Sequence, residues 1–397
     1  MRNFTKLLLA AAALLAAAGP ASAQTFRVGQ LSDDSGPCAS EATCSLREAV
    51  IAANANPDAD TILLADGTHT LSIPAPGEGG ATTDTAGDLD ITRPVNISPA
   101  GSGRVTISAA GLGSRALTVA GAGVILQRLT IRGGTEPAAD GGGLLVSMAG
   151  SSLRLDRVTV TGNSAGAGGA VSVGADGTLQ VVASTISGNQ ATGLGGAIAV
   201  ADPATVRVAG STITANTGNS DAAGGGGAGG ISAQAASTVT LRDSIVAGNL
   251  QLSPSSAAFG ADCEAAAGVA FTSGGHNLVG RGSGDECPAG TGDIGGAPLL
   301  GPLDSNGGTT DTHALLAGSP AIDAGNPAGC RETDGAPIVE LDQRLVPRQG
   351  RCDIGAFEAQ PDLVVESVAE AADPVAPGAD EAYTVTVRNQ GAGPAAA

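Results

Sequence analysis

The chain has no Trp, one Tyr and five Phe among its 397 residues, and no aromatic residue stands between Phe26 and Phe259. Sugar-binding faces stack aromatic rings against a pyranose, so this long aromatic-free stretch argues against a platform of that kind. Lysine is nearly missing as well. Lys6 is the only one, and it lies in a segment with the marks of a removable leader, which excludes a Schiff-base or phosphate-loop lysine. The histidines, His69, His276 and His313, are scattered, and no cysteine pair has C-x-x-C spacing. A zinc site therefore has little to build on.

The one long apolar run, residues 7–18, is too short to cross a bilayer. It follows Arg2 and Lys6 and precedes Ala21-Ser22-Ala23, a small-residue cleavage site before Gln24, so residues 1–23 read as a secretory signal peptide. Without Arg2 and Lys6 the 19 basic residues fall to 17 against 38 acidic ones, a net charge of −21. Such acidity disfavours nucleic acid and anionic membrane surfaces. It also disfavours polyanions unless a cation bridges the two. The expectation is a secreted or cell-surface protein with no integral membrane segment.

What the chain does have is 62 Gly, 21 Pro and a 42% hydrophobic fraction made chiefly of Val, Ile, Leu and Ala. Six cysteines in an exported chain suggest disulfides. They fall as three sequence-local pairs, Cys38 with Cys44, Cys263 with Cys287, and Cys330 with Cys352, although six cysteines allow fifteen connectivities.

The fold is legible in a repeat. Segments beginning at Leu153, Leu179, Val206 and Val239 each run through alternating β-branched residues to an Asn: Asn163, Asn189, Asn216 and Asn249. Three of them lead to Gly pairs, Gly168-Gly169, Gly195-Gly196 and Gly229-Gly230, before a short apolar strand. Self-similarity near 26 residues means a solenoid. The two-residue period within each unit makes it a β-solenoid, with Val160, Ile186, Ile213 and Val246 inward and Thr159, Thr185 and Thr212 outward. Stacked coils would lie about 4.8 Å apart. The four Asn residues would form a structural ladder at one corner, where Asn tolerates the left-handed conformation and its amide bonds the next coil. Upstream, Leu89/Ile91, Val95/Ile97, Val105/Ile107, Leu117/Val119 and Val124/Leu126 continue the pattern. An open solenoid end needs a cap. Ser45-Leu-Arg-Glu48 supplies a helix capping box, with Leu46, Ala49, Val50 and Ala53 on one apolar face.

These residues carry a family resemblance. Cys44-Ser-Leu-Arg-Glu-Ala49 resembles the CSLREA motif of secreted bacterial β-helix proteins. Thr312-His-Ala-Leu-Leu316, Asp342-Gln-Arg344 and Cys352-Asp-Ile-Gly-Ala-Phe-Glu358 resemble the choice-of-anchor Q domain. The repeats resemble the right-handed parallel β-helix of the pectin lyase-like superfamily, and Tyr383-Thr-Val-Thr-Val-Arg-Asn389 resembles the start of a DUF11 or CARDB-type sandwich. The resemblance divides the chain into a signal peptide (1–23), an N-terminal region with a capping helix (24–80) and a β-helix (81–300). A choice-of-anchor Q region (301–359) and a partial Ig-like domain (360–397) follow.

A fold does not fix an activity. The resemblance offers pectate lyases, which use Ca²⁺-binding carboxylates and a basic residue, and polygalacturonase-like hydrolases, which use clustered Asp. Asp156 stacks on Val182, Ala209 and Arg242, and Arg157 on Ala183, Gly210 and Asp243, so neither forms a cluster. No catalytic residue is assigned. Candidate Ca²⁺ ligands are Glu78, Asp84, Asp88 and Asp90, with Asp88 and Asp90 turned to solvent by strand alternation. Asp58, Asp60 and Asp66 form a similar group, and for both a solvated acidic surface is the simpler reading. His313 reads as a packing histidine. Gly141-Gly-Gly143 and residues 224–227 read as turns of the solenoid. The functional expectation is a non-enzymatic rigid scaffold or adhesin-like module contacting an extracellular glycan or surface protein. A polysaccharide lyase or hydrolase is the rival, and a Ca²⁺-stabilised adhesin the third reading.

Overall fold

A computed structural model describes residues 22–74, 85–223, 227–252, 262–280, 282, 285–330, 340–361, 363–370, 382–389 and 391–393. Residues 1–21 of the expected signal peptide, Glu78, Asp84 and residues 224–226 of the Gly-rich insert lie outside the described residues.

Strands pair in parallel from coil to coil. The first sheet has nine strands, from Thr25–Val28 to Ala270–Ser273, and the second also has nine, from Gly67–Thr70 to Ile294–Gly295. The third has seven, from Leu89–Ile91 to Cys263–Ala265. A short fourth sheet of five strands, Thr135–Asp140 to Leu250–Gln251, fills the corner between second and third. This is the all-β parallel β-helix expected from the repeat, and crossover connections between parallel strands take the right-handed course almost without exception.

Register follows the repeat residue for residue. Leu153 lies beside Leu179, then Val206, then Val239; Val160 beside Ile186, Ile213 and Val246; Val171 beside Ile198 and Ile231. All of these side chains are at most 1% exposed. Each contributes about 1.5–3 kcal/mol by leaving water, which explains how a core without aromatic rings holds together.

Glycine is required at the corner before the third sheet. A Cβ on Gly169 would lie 2.3 Å from the Gln190 carbonyl oxygen, and one on Gly196 2.5 Å from the Thr217 carbonyl. The coils approach backbone to backbone there. At the other corners the structure corrects the expectation for the Asn ladder. The left-handed residue is the one before each Asn: Gly162, Gly188, Ala215 and Gly248 have φ of 65°, 69°, 56° and 77°. The Asn itself stays outside the left-handed region, and its amide turns into the stack.

At the N-terminal end, helix Leu46–Asn54 opens with the anticipated capping box: the Glu48 N–H donates to Ser45 Oγ and the Ser45 N–H to Glu48 Oε2. The helix packs against the first strand of the third sheet. Three disulfides join Cys38 to Cys44, Cys263 to Cys287 and Cys330 to Cys352, leaving no free cysteine.

Beyond the solenoid, an antiparallel pair, Leu300–Asp304 with Thr312–Leu315, and residues 340–359 fold back over the outer face of the second sheet. This corrects a second expectation. Thr159, Thr185 and Thr212 do point away from the core, yet they are at most 1% exposed because this segment covers them. A last antiparallel hairpin, Leu363–Glu370 with Tyr383–Asn389, carries Val365, Val385 and Val387 more than half exposed. No helix among the described residues is long and apolar enough to cross a membrane.

Candidate functional site

Among the described residues, side chains that carry chemistry gather in two polar columns inside the coils, at the N-terminal cap, on the covered face of the second sheet and on the open face of the first.

The first column is the Asn ladder. The backbone N–H and Nδ2 of Asn163 both donate to Oδ1 of Asn189, at 3.1 and 2.9 Å. Asn189 donates likewise to Asn216, and Asn216 to Asn249. Asn163 Oδ1 in turn accepts the Gly134 N–H at 2.9 Å. All four Asn side chains are buried, and their bonds run coil to coil. Carboxylates end it: the backbone N–H and Nδ2 of Asn249 donate to Asp262 Oδ1, at 2.8 and 2.7 Å, and the Asp262 N–H donates on to Asp285 Oδ1.

A second column, unforeseen in the sequence, runs beside it. Val158 N–H donates to Ser184 Oγ, Ser184 N–H to Ser211 Oγ, and Ser211 N–H to Ser244 Oγ. Ser244 N–H then donates to Asn277 Oδ1, and Asn277 N–H to Asp293 Oδ1 at 2.8 Å. Both columns thus point N–H dipoles toward the C-terminal coils, and both end on Asp. Aligned dipoles favour an anion at their positive end, as at a helix N-terminus. Burial outweighs these bonds at Asp262 and pushes its pKa up to about 6. The sequence signal was the recurring Ser184, Ser211 and Ser244, set at the same spacing as the Asn residues.

At the cap, Asp88 and Asp90 are each 2% exposed, which corrects their assignment to a solvated face. Asp88 Oδ2 accepts from Thr118 Oγ1 at 2.5 Å and lies 3.5 Å from Arg115 Nη1. Arg115 also reaches Glu136 at 3.5 Å. This carboxylate already has a cation. Asp60 is likewise 2% exposed, whereas Asp58 is half-buried and Asp66 exposed. Arg47, inside the motif but unassigned from sequence, is the hub. Its guanidinium grips both oxygens of Asp33, at 2.8 and 3.0 Å, and donates to the Gly87 carbonyl at 2.6 Å.

The covered face holds a dense polar seam. Thr185 donates to Gln343 Oε1 at 2.6 Å, and Gln343 Nε2 donates to Thr159 Oγ1 and Thr310 Oγ1 at 2.9 and 3.0 Å. Arg157 pairs with Asp156 at 2.7 Å and donates to the Asp342 carbonyl. His313 sits between Ser187, 2.8 Å from Nε2, and the Gly301 carbonyl, 2.7 Å from Nδ1. The carbonyl fixes the proton on Nδ1, so Nε2 accepts from the serine. Burial lowers the histidine pKa, and Ser187 and His313 are only 2% and 8% exposed. The pair is enclosed by the packing and acts as a clasp.

Beside it Asp342, Arg344, Arg348, Asp353 and Glu358 bind one another. Arg344 meets Asp342 at 2.7 Å and stacks over Phe357, and Arg348 meets Glu358 at 3.3 Å. Burial, with Glu358 nearby, pushes Asp353 up to about 7. Asp243 lies against Cys330 and Cys352, but those sulfurs are joined to each other and offer no thiolate.

The first sheet leaves an outer face open. One outward row runs Ile125, Arg154, Gln180, Arg207, Thr240, and a second runs Ser152, Thr178, Thr205, Thr238. Between them lies a groove of about 190 Å³ lined by Gly123, Ile125, Ser152, Arg154, Thr178 and Gln180. Arg154 donates to Gln180 there at 3.2 Å. The groove is smaller than most small-molecule sites, and no carboxylate or histidine lines it. Its chemistry is that of a contact surface, without a general acid or base.

No family model matches the chain, and no curated protein gives a significant match. Among solved structures, the crystal structure of pectate lyase Pel9A matches with a TM-score of 0.37 and 14% sequence identity, over 85% of this chain and 97% of that one. So distant a likeness carries no residue or activity across, and the fold assignment rests on the strand pairing.

Proposed function

We propose that the chain is an exported, non-enzymatic β-helix module: a rigid scaffold or adhesin-like spacer of the CSLREA and choice-of-anchor Q kind, with residues 360–397 opening a further sandwich. One observation carries this reading. The chemically capable side chains are spent on structure: Arg157, held by Asp156, and His313 fasten the C-terminal segment to the solenoid, and the Asp353–Glu358 group bonds within that segment. The face left open presents Arg, Gln and Thr in rows, which suit edge-on contact with an extracellular glycan or a surface protein. Leader removal and export account for the three disulfides, which persist in an oxidising compartment.

The test is incubation of the exported protein with pectate, alginate and neutral glycans, with and without Ca²⁺, while following unsaturated products and reducing ends. No chain cleavage is expected. Cleavage above the level of a heat-inactivated control would overturn the scaffold reading in favour of a lyase or hydrolase.

A further inference from the structure

We infer that the buried carboxylate of Asp60 is the seat of a newly made N-terminus, holding the α-ammonium of Gln24 once the chain is cut after Ala23. The cut itself rests on the export reading; the seat rests on geometry. Gln24 is fixed by the first sheet, its carbonyl accepting the Thr61 N–H at 2.9 Å beside the Thr25–Thr61 pair. Its own N–H donates to Asp60 Oδ1 at 2.7 Å. Oδ1 also accepts from Asn56 Nδ2 at 2.7 Å, and the Asp60 N–H donates to the Pro94 carbonyl.

The other oxygen, Oδ2, is buried without a hydrogen-bond partner, on a residue 2% exposed. A buried carboxylate with an unused oxygen is costly unless a cation meets it. In the uncut chain the facing group is a neutral amide with one proton.

Hydrolysis of the Ala23–Gln24 bond by a leader-removing peptidase changes that atom in place. Water supplies OH to the Ala23 carbonyl carbon, the C–N bond breaks, and the Gln24 nitrogen leaves as an amine that takes up protons to become an ammonium. It then offers three protons and a full charge where there was one proton and none, and charge-assisted bonds are roughly twice as strong as neutral ones. Ser22 and Ala23 are exposed, so the bond is open to a peptidase. Among the described residues no other charged side chain bonds to Gln24 or Asp60. The neighbouring charges are Arg27, three residues on from Gln24, Asp58 in the same loop as Asp60, and Arg93 beside Pro94. A protonated amine also lacks the lone pair needed to attack the Gln24 side-chain amide and expel ammonia, so the seat protects Gln24 from cyclising.

The experiment compares three full-length mature chains, released from a cleavable fusion whose protease leaves no added residue. One begins at Gln24, one keeps Ser22-Ala23, and one begins at Gln24 with Asp60→Asn. The readouts are the α-amine pKa, from the pH dependence of its acylation by mass spectrometry, and the unfolding midpoint against pH. In the Gln24-first chain the amine should titrate at least about one unit above its ordinary 7.7–8.0. Its folded pKa being raised, the stabilisation is present below about pH 8 and lost as pH rises through the raised value. Asp60→Asn should restore an ordinary amine and speed ammonia loss. If Asp60→Asn does not fold, the Ser22-Ala23 chain serves as the comparison, since its Asp60 is intact and its amine two residues away must titrate normally. An ordinary amine pKa in the Gln24-first chain overturns the seat. N-terminal sequencing of the exported protein tests the cut separately: a start other than Gln24 removes the processing event, and with it the proposal, while the ion pair stays measurable.

Discussion

Asn216 sits mid-ladder, and the cost of deleting its side chain can be worked from the bonds around it. Its Oδ1 accepts the Asn189 N–H and Nδ2 at 3.0 and 2.9 Å, and its Nδ2 donates to Ile186 O, Thr214 O and Asn249 Oδ1 at 3.0, 2.9 and 2.9 Å. Asn216→Ala strands the buried Asn189 N–H, worth about 1–3 kcal/mol, and removes further bonds of about 1 kcal/mol each that are only partly shared with other partners. A destabilisation of roughly 4 kcal/mol is expected in equilibrium urea unfolding. Asn216→Asp keeps the acceptor but turns a second oxygen toward three other acceptors. It should exceed the alanine change at pH 8 and recover in acid. The reverse exchange further along the column, Asp262→Asn, keeps Oδ1 for Asn249 and removes a buried charge, so it should be tolerated. An Asn216→Ala cost under about 1 kcal/mol, or like behaviour of Asn216→Asp and Asp262→Asn, would refute a stabilising role for the ladder.

Three further outcomes follow from the packing. Burial raises Asp262 to about 6 in the folded chain, so its stability contribution is present below about pH 4 and lost as pH rises through 6. Relative to Asp262→Asn, the parent should lose roughly 3 kcal/mol over that window in parallel melts. Arg47→Met leaves Asp33 buried without its cation, and chemical unfolding should show a cost of about 3–5 kcal/mol, with Asp33→Asn restoring part of it. Ala215→Gly relieves a left-handed alanine stacked between Gly188 and Gly248 at the same corner of the adjacent coils. Calorimetry should show a gain of up to about 1 kcal/mol, since the left-handed region costs a residue with a Cβ about 1–2 kcal/mol and glycine entropy returns part of it.

The sequence disclosed what repeats. Identical residues at one spacing mark columns, so the Leu153 and Val160 rows, the Asn ladder and the capping box of Ser45 and Glu48 could be read directly. Contacts between parts far apart in the chain left no such trace. Thr159 and Asp311 are 152 residues apart, and Thr185 and Gln343 are 158 apart, so alternation put the threonines outside without showing what covers them. Asp88 and Asp90 misled in the same way, because Arg47, Asn54 and Arg115 close over that strand from other elements. At the corners the backbone conformation belongs to the residue before the Asn, a one-position shift that composition cannot show.

The two polar columns also set a rule for length. Within the columns every interior coil meets the same neighbours above and below, and only the ends differ: the Gly134 N–H at one, the carboxylates of Asp285 and Asp293 at the other. A whole coil inserted or deleted outside the stretch that Gln343, His313 and Ala356 span therefore leaves both column ends unchanged, whereas a partial coil would break register on every sheet at once. The solenoid can be lengthened only in whole steps, about 4.8 Å for each unit of chain. It is a ruler whose graduations are written in asparagine and serine.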